Sequence, residues 1–232
     1  MLMQRIKTAI SCSLTSLLLI LTVPAWGADK TKDEETIQNA TAVLQKMLDS
    51  KAVPGSLLVT AKCIIILPGV KKFAVGVGGS GGRGPMTCRD GQNFTGNNWS
   101  APAMFSIGGA SAGLQFGGSS TDFVLLIMEP KAVNKVLGGK TKVGSDLTAA
   151  AGPSGATTTG AVGGADILSY GRASGLFAGI SLNGASLEPD SSANQRIYDK
   201  TISAREIVVD STVKSTPAGQ SLVSMLDSKD WQ

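Results

Sequence analysis

The chain has 232 residues, a formal net charge of +4, 42% hydrophobic residues and no histidine. Histidine ordinarily supplies the base of a serine or cysteine hydrolase and completes most zinc shells, so its absence argues against both classes of site. The net charge is small, and by itself it indicates no particular partner.

The first 27 residues have the pattern of a secretory signal peptide. Arg5 and Lys7 precede an apolar run that ends at Val23, and the helix-breaking Pro24 is followed by small residues up to Gly27. The apolar run is shorter than the ~20 residues of a spanning helix, so we expect cleavage near Gly27 and not an uncleaved anchor. This predicts a periplasmic or secreted protein, for which a peripheral association with a membrane is an open alternative.

Two cysteines remain after the predicted cleavage, Cys63 and Cys88. An oxidising compartment would allow them to form a disulfide, whereas cysteine is also common as a small buried residue. The sequence leaves both alternatives open.

Helical patterns stand at both ends of the remaining chain. Ile37, Ala40, Leu44 and Met47 recur at helical spacing, which predicts an amphipathic helix that packs on the core. A short helix is expected after Pro54, a two-turn helix in PKAVNKVLGG, and two more in SANQRIYDK and TPAGQSLVSMLDS.

The middle of the chain has the texture of strands and glycine turns. The run CIIILP is short and β-branched and predicts a strand, and FAVGVGG, SAPAMFSIGG, AGLQFGG, DFVLLIM and LFAGISL continue the pattern. The fold class is therefore α+β, with a glycine-rich, mostly antiparallel β core, barrel-like or strongly curved, flanked by N- and C-terminal helices.

Two apparent catalytic motifs fail on their context. Gly76, Gly78 and Gly81 match a dinucleotide-binding fingerprint, but GRGPMTC follows them and opens no helix that could hold a pyrophosphate. GASAG around Ser111 matches a nucleophile elbow without a histidine to activate it. Because the two motifs fail and histidine is absent, we predict no enzyme activity, cofactor or metal. The basic stretches also carry too few aromatic residues for a protein that binds single-stranded nucleic acid, so we predict no nucleic-acid partner.

Five sequence blocks, in order, resemble the SYLF domain family. They are VPGSLLVTAKCIIILPGVKK, GGRGPMTCRDG, WSAPAMFSIGGASAGLQFGGSSTDFVLLIM, SDLTAAAGPSG and ILSYGRASGLFAGISLNGASLEPD. That family includes fungal actin-patch proteins, animal proteins with an added SH3 domain, and exported bacterial proteins. The resemblance covers roughly residues 50–198. Together with the signal-peptide and helix patterns, it predicts residues 1–27 as signal peptide, 28–50 as the packed helix, and 51–232 as a SYLF-type β-rich domain with C-terminal helices.

Family membership implies lipid binding, with phosphoinositides for some members, and actin binding in the fungal ones. We therefore expect a non-enzymatic protein that binds phospholipid or an anionic membrane surface. The alternative is a structural or protein-interaction module of the cell envelope, similar by family analogy to an actin-binding module, and a hydrolase of unrecognised type is the third candidate. Glycine in strands permits either tight curvature or close approach of a ligand. On the ligand interpretation, basic turns meet the head group and one hairpin forms an apolar wall; the head-group candidates are Arg172, Lys71, Lys72 and Arg83, and the wall candidates are Leu176, Phe177 and Ile180.

Overall fold

A computed structural model describes residues 25–75, 77–112, 117–153, 164–173, 176–179, 182 and 184–228. The fold is α+β, a curled half-barrel sheet flanked by N- and C-terminal helices, and the predicted fold class is thereby confirmed. None of the helices in these ranges combines the length and the apolar character that a bilayer span requires.

Six α-helices occupy the described ranges: α1 (Ala25–Asp49), α2 (Gly55–Thr60), α3 (Pro130–Leu137), α4 (Ser191–Tyr198), α5 (Ala204–Val208) and α6 (Pro217–Ser228). Helix α1 already includes Gly27, the predicted processing point, while residues 1–24 of the predicted signal peptide lie outside the described ranges. Helix α5 was not predicted, although Ser203 and Glu206 form a capping box at its start.

The nine strands of the described sheet are β1 (Cys63–Val75), β2 (Val77–Cys88), β3 (Ala103–Ala112), β4 (Gly117–Ile127), β5 (Thr141–Lys142), β6 (Ala149–Ala151), β7 (Ile167–Ala173), β8 (Leu176–Gly179) and β9 (Ser186–Pro189). Their order is β5-β9-β3-β2-β1-β4-β7-β6, and β8 pairs with β7. Only β6 and β7 pair in parallel among these strands.

The first half of β1 is buried on both faces, which explains its uninterrupted apolar run. Ile64 and Ile66 pack in one core cluster with apolar residues of α1, α2 and α6, and Ile65 and Leu67 pack in a second cluster with residues of α3 and α5. Successive strand side chains point to opposite faces, so a strand between two helical layers needs apolar residues at every position.

A disulfide joins the two ends of the β1–β2 hairpin. Cys63 and Cys88 are direct partners in the antiparallel register, both are fully buried, and their sulfur atoms are bonded. The bond therefore crosses the sheet between strands that also pair by backbone hydrogen bonds.

A one-residue irregularity divides β1 into two parts. Three steps along β1, from Leu67 to Val70, face only two steps along β4, and Gly69 lies between them with a φ of 59°. A bulge of this kind admits one extra residue on one strand and is favoured by glycine in the left-handed region. Beyond the bulge, the alternation of inward and outward side chains is shifted by one residue, so Lys71 faces the side of the sheet that α1 covers.

Candidate functional site

The candidate site is a groove between α1 and the sheet just beyond the bulge. It has a volume of about 650 Å³ and lies between one side of α1 and parts of β1, β2 and β4. We call it the α1 groove; its lining includes Thr36, Asn39, Val43, Lys46, Gly69, Lys71, Gly81, Gly82, Arg83 and Asp122.

Three cations from three different elements line the α1 groove. Lys46 comes from the last turn of α1, Lys71 from β1 and Arg83 from β2, while Asp122 is the one carboxylate among the described lining residues. Lys46 and Lys71 are exposed, and neither forms an ion pair with another described residue. The groove therefore has two lysines whose charge is available to an anionic partner.

Arg83 belongs both to the groove and to an internal charge cluster. Its side chain is 39% exposed, pairs with the fully buried Asp33 of α1, and lies 3.4 Å from Asp190. Arg196 of α4 donates from Nε to the other oxygen of Asp33 at 2.7 Å. This hydrogen bond, together with the negative charge of Asp33, raises the pKa of Arg196.

Arg172 is held at the groove edge by Asp122. The two residues are register partners on β7 and β4, and their charged atoms are 3.8 Å apart. Asp122 also accepts a hydrogen bond from the Gly69 amide at 2.9 Å, so this carboxylate fixes the bulge as well as the arginine. Arg172 therefore contributes to the structure of the groove wall.

The floor of the groove is formed by backbone at two adjacent glycines that differ in their surroundings. A Cβ added at Gly81 would have no neighbour closer than 3.9 Å, the Ile107 oxygen. A Cβ at Gly82 would lie 2.7 Å from Val70 Cγ2 on the buried side of the sheet. Glycine at 82 is required by packing, whereas glycine at 81 leaves the floor bare.

The structure brings together Lys71 and Arg83, and connects Arg172 to them through Asp122, but it corrects the idea of basic turns. Lys71, Lys72 and Arg83 lie within β1 and β2, and Arg172 lies within β7. For Lys71 and Lys72 the reason is the bulge, because the sequence LPG continues β1 instead of ending it.

Other predicted positions fall partly or wholly outside what is described. The backbones of Lys72, Leu176 and Phe177 lie in strands, but their side chains are outside the described part, as is all of Ile180. The apolar wall therefore stays a prediction.

The two motif matches lie in strands. Gly78 and Gly81 belong to β2, which continues as a strand to Cys88, and Ser111 lies near the end of β3. No helix N-terminus follows Gly81 within β2, and residues 113–116, which follow Ser111 and Ala112, lie outside the described ranges. In the described ranges, no group of three or more histidine, cysteine, aspartate or glutamate side chains could hold a metal ion.

Sequence reasoning missed Asp33, although a signal for it exists. Asp33 stands four residues before Ile37, on the same helical stripe as the buried Ala40, Leu44 and Met47. A carboxylate on a buried stripe must find a charged partner, because burying an unpaired charge is costly. Arg83 and Arg196 are those partners.

Comparison with known proteins identifies the family. Residues 108–229 match the family model Ysc84, described as Las17-binding protein actin regulator. The chain belongs to the Ysc84 family. The resemblance to the SYLF domain family is thus confirmed.

Relatives in this family come from animals and fungi. The human SH3 domain-containing YSC84-like protein 1 is 30% identical over 201 residues, which is 85% of this chain and 57% of that protein. An SH3 domain-containing protein of Schizosaccharomyces pombe is 33% identical over 185 residues, covering 77% of this chain and 42% of its own length. Protein YSC84 of Saccharomyces cerevisiae is 29% identical over 185 residues, 77% of this chain and 38% of the yeast protein. The chain thus spans about half the length of the curated relatives it matches.

These relatives overturn the predicted localisation. They are eukaryotic proteins named for SH3 domains or for YSC84, and the family is described by its binding to Las17 and its regulation of actin. The prediction of a periplasmic or secreted protein is therefore wrong. Its basis was the composition of the first 27 residues, of which 1–24 lie outside the described ranges.

Proposed function

We propose that this chain is a non-enzymatic protein-interaction module of the actin-regulator type, and that the α1 groove binds an acidic surface of its partner. The observation that carries the proposal is the meeting of Lys46, Lys71 and Arg83 in one groove of a chain whose family is described as actin regulators. The family description as an actin regulator, and relatives named for SH3 domains, support a binding role over a catalytic one.

The groove suits a charged segment of protein. Exposed lysines at its rim favour an acidic partner by steering the encounter and by penalising partners of like charge. The bare floor at Gly81 lets the backbone or a short side chain of the partner approach the sheet closely. Actin is the first partner to test, because the family description names it.

Co-sedimentation of the full chain with actin filaments tests the proposal. Reversing two exposed charges in Lys46→Glu/Lys71→Glu should weaken binding about tenfold, at roughly 0.7 kcal/mol for each exposed charge. The matched control is Lys140→Glu, an exposed lysine in the connection after α3. Binding of the parent should also fall with added salt, because exposed charges are screened within ~10 Å at 0.1 M.

A steric variant tests the same groove without changing charge. Gly81→Val places a side chain on the groove floor, where the first added atom meets nothing closer than 3.9 Å. We expect the variant to fold and to lose affinity for the filaments. Undiminished binding by both Gly81→Val and the double charge reversal would remove the groove from the proposal. A parent chain that does not bind filaments at any salt concentration would remove actin as the partner.

An anionic phospholipid head group is the second candidate ligand of the α1 groove. The available charges of Lys46 and Lys71, together with Arg83, favour a phosphate as they favour a carboxylate. The test is sedimentation with vesicles containing phosphatidylserine, compared with neutral vesicles. Charge reversal is better made at Lys46 and Lys71 than at Arg172. A glutamate at position 172 would repel Asp122, and Asp122 also accepts the hydrogen bond that holds the bulge at Gly69. Binding to anionic vesicles that survives the double reversal would exclude the groove as the lipid site.

A further inference from the structure

The N-terminal turns of α1 are attached to the rest of the protein by charge. Among the described side chains from Asp29 to Thr36, the buried one is Asp33, and the others are exposed or half-buried. Lys30 adds a surface ion pair with Asp199, at 2.5 Å. From Ile37 onward the same helix is held by fully buried apolar side chains. The two parts of α1 therefore differ in what stabilises them.

Asp33 is the centre of a small internal cluster of four charges. It is fully buried and bonded to Arg83 of β2 and to Arg196 of α4, and Asp190 lies 3.4 Å from Arg83. Asp190 also accepts from the Ala193 amide as the N-cap of α4. We call Asp33, Arg83, Arg196 and Asp190 the α1 latch. It links α1, the sheet and α4 with a balance of two cations and two carboxylates.

The latch and the α1 groove share one residue. Arg83 lines the groove and its side chain is 39% exposed, and it already forms ion pairs with Asp33 and Asp190 of the latch. A third anion arriving from the groove is attracted by the guanidinium and repelled by Asp33 and Asp190. A ligand anion and Asp33 therefore compete for Arg83.

We propose that the α1 latch is an anion-responsive contact: an acidic partner in the α1 groove loosens residues 29–36 of α1, and loosening of this segment raises the affinity of the groove. The coupling is reciprocal, because two events that compete for one group must weaken each other equally. The segment suits this role since a region with few buried apolar contacts opens at low free-energy cost. The inference rests on the proposed function, since it requires an anionic ligand in the groove.

The first test measures the unmodified full chain. Amide hydrogen exchange is followed by mass spectrometry with and without an octaglutamate peptide, at low salt. Exchange should become several-fold faster in peptides covering residues 29–36 and stay unchanged in peptides covering the apolar half of α1. No variant is involved, so a folding defect cannot obscure the result. Octaglutamate that binds without changing exchange in residues 29–36 overturns the inference.

The second test removes the competing charge. Asp33→Asn keeps the size and a hydrogen-bonding oxygen but leaves Arg83 uncompensated by this carboxylate, so octaglutamate should bind about fivefold more tightly. Glu35→Gln is the matched control, because Glu35 is an exposed carboxylate on the same helical segment and forms no ion pair with another described residue. Equal affinities for Asp33→Asn and the parent overturn the latch and leave the groove as a binding site.

Failure of the proposed function gives a different result. If neither octaglutamate nor actin filaments bind the parent, or if Gly81→Val leaves octaglutamate binding intact, the groove is not the site, and the coupling fails with it. If the parent binds, Gly81→Val blocks binding, and Asp33→Asn is unchanged, only the coupling fails.

Discussion

Two adjacent glycines should respond in opposite ways to the same added methyl group. In Gly82→Ala the new Cβ would lie 2.7 Å from Val70 Cγ2 and 3.1 Å from Val70 Cα. The first distance is roughly 0.8 Å below the favourable range for two carbons, and the second involves backbone that cannot rotate away. Val70 is itself buried in the core beside the bulge. Overpacking of this kind costs about 1–3 kcal/mol of the free energy of unfolding.

In Gly81→Ala the new Cβ has its nearest neighbour at 3.9 Å, an ordinary contact, and the backbone does not have a positive φ. Replacing a strand glycine under these conditions reduces the entropy of the unfolded chain and should stabilise by about 0.4–1 kcal/mol. The two variants should therefore differ by roughly 1.5–4 kcal/mol, with the parent between them.

Urea unfolding, followed by tryptophan fluorescence and circular dichroism, measures this difference. Coincidence of the two probes checks that unfolding is two-state. If Gly81→Ala and Gly82→Ala unfold within about 0.5 kcal/mol of each other, the assignment of one glycine to the groove floor and the other to core packing is wrong.

Three further predictions concern stability. Arg89 donates to three carbonyl oxygens at 3.2–3.3 Å and stacks 4.6 Å from the Trp99 ring centroid, so Arg89→Met should cost about 3 kcal/mol in urea unfolding. Reducing the bond between Cys63 and Cys88, which are 25 residues apart, should cost roughly 3 kcal/mol, measured as the shift in urea midpoint with and without reductant. Hydrogen bonds from the Ser203 hydroxyl and amide lower the pKa of Glu206, so its contribution is present above the pKa of an unfolded glutamate, about 4.3, and is lost as the pH falls further. Urea midpoints measured from pH 6 to pH 3 should fall less steeply in Glu206→Gln.

Each of these has a contrary outcome. The control for Arg89→Met is Arg205→Met, because Arg205 is an exposed arginine that donates to Asn134. If both variants lose the same free energy of unfolding, the buried carbonyl contacts of Arg89 do not contribute to stability. An unchanged midpoint after complete reduction would contradict the chain-entropy argument. An identical acid dependence in Glu206→Gln would show that its cap bonds do not distinguish the folded from the unfolded state.

The order of helices and strands was readable from the sequence because local patterns determine most of it. The stripe of Ile37, Ala40 and Leu44 predicted α1, and the apolar, β-branched run at Ile64–Leu67 predicted a strand. Helix α5 was missed because it has only five residues, although its capping box, Ser203 and Glu206, was visible. Short helices give too few turns for a periodic signal.

The site was predicted less completely, because it depends on register between strands distant in sequence. The basic residues were noticed, but nothing local relates Arg83 to Asp33, 50 positions earlier, or Arg172 to Asp122. The side of the sheet on which Lys71 lies depends on the bulge at Gly69, and a one-residue shift reverses it. The dipeptide PG favours a turn, but here it lies at a bulge inside β1.

The bulge explains how one strand serves two different environments. Before it, β1 has apolar residues on both faces and is covered by helices on both sides; after it, Val70 still points into the core while Lys71 faces the groove. Without the extra residue, the two side chains would exchange faces. Val70 would face the groove, and Lys71 would point into the core. Asp122 holds this arrangement by bonding the Gly69 amide and pairing with Arg172 at once. The glycine at 69 thus shapes the α1 groove, because it sets the face of the sheet on which Lys71 lies.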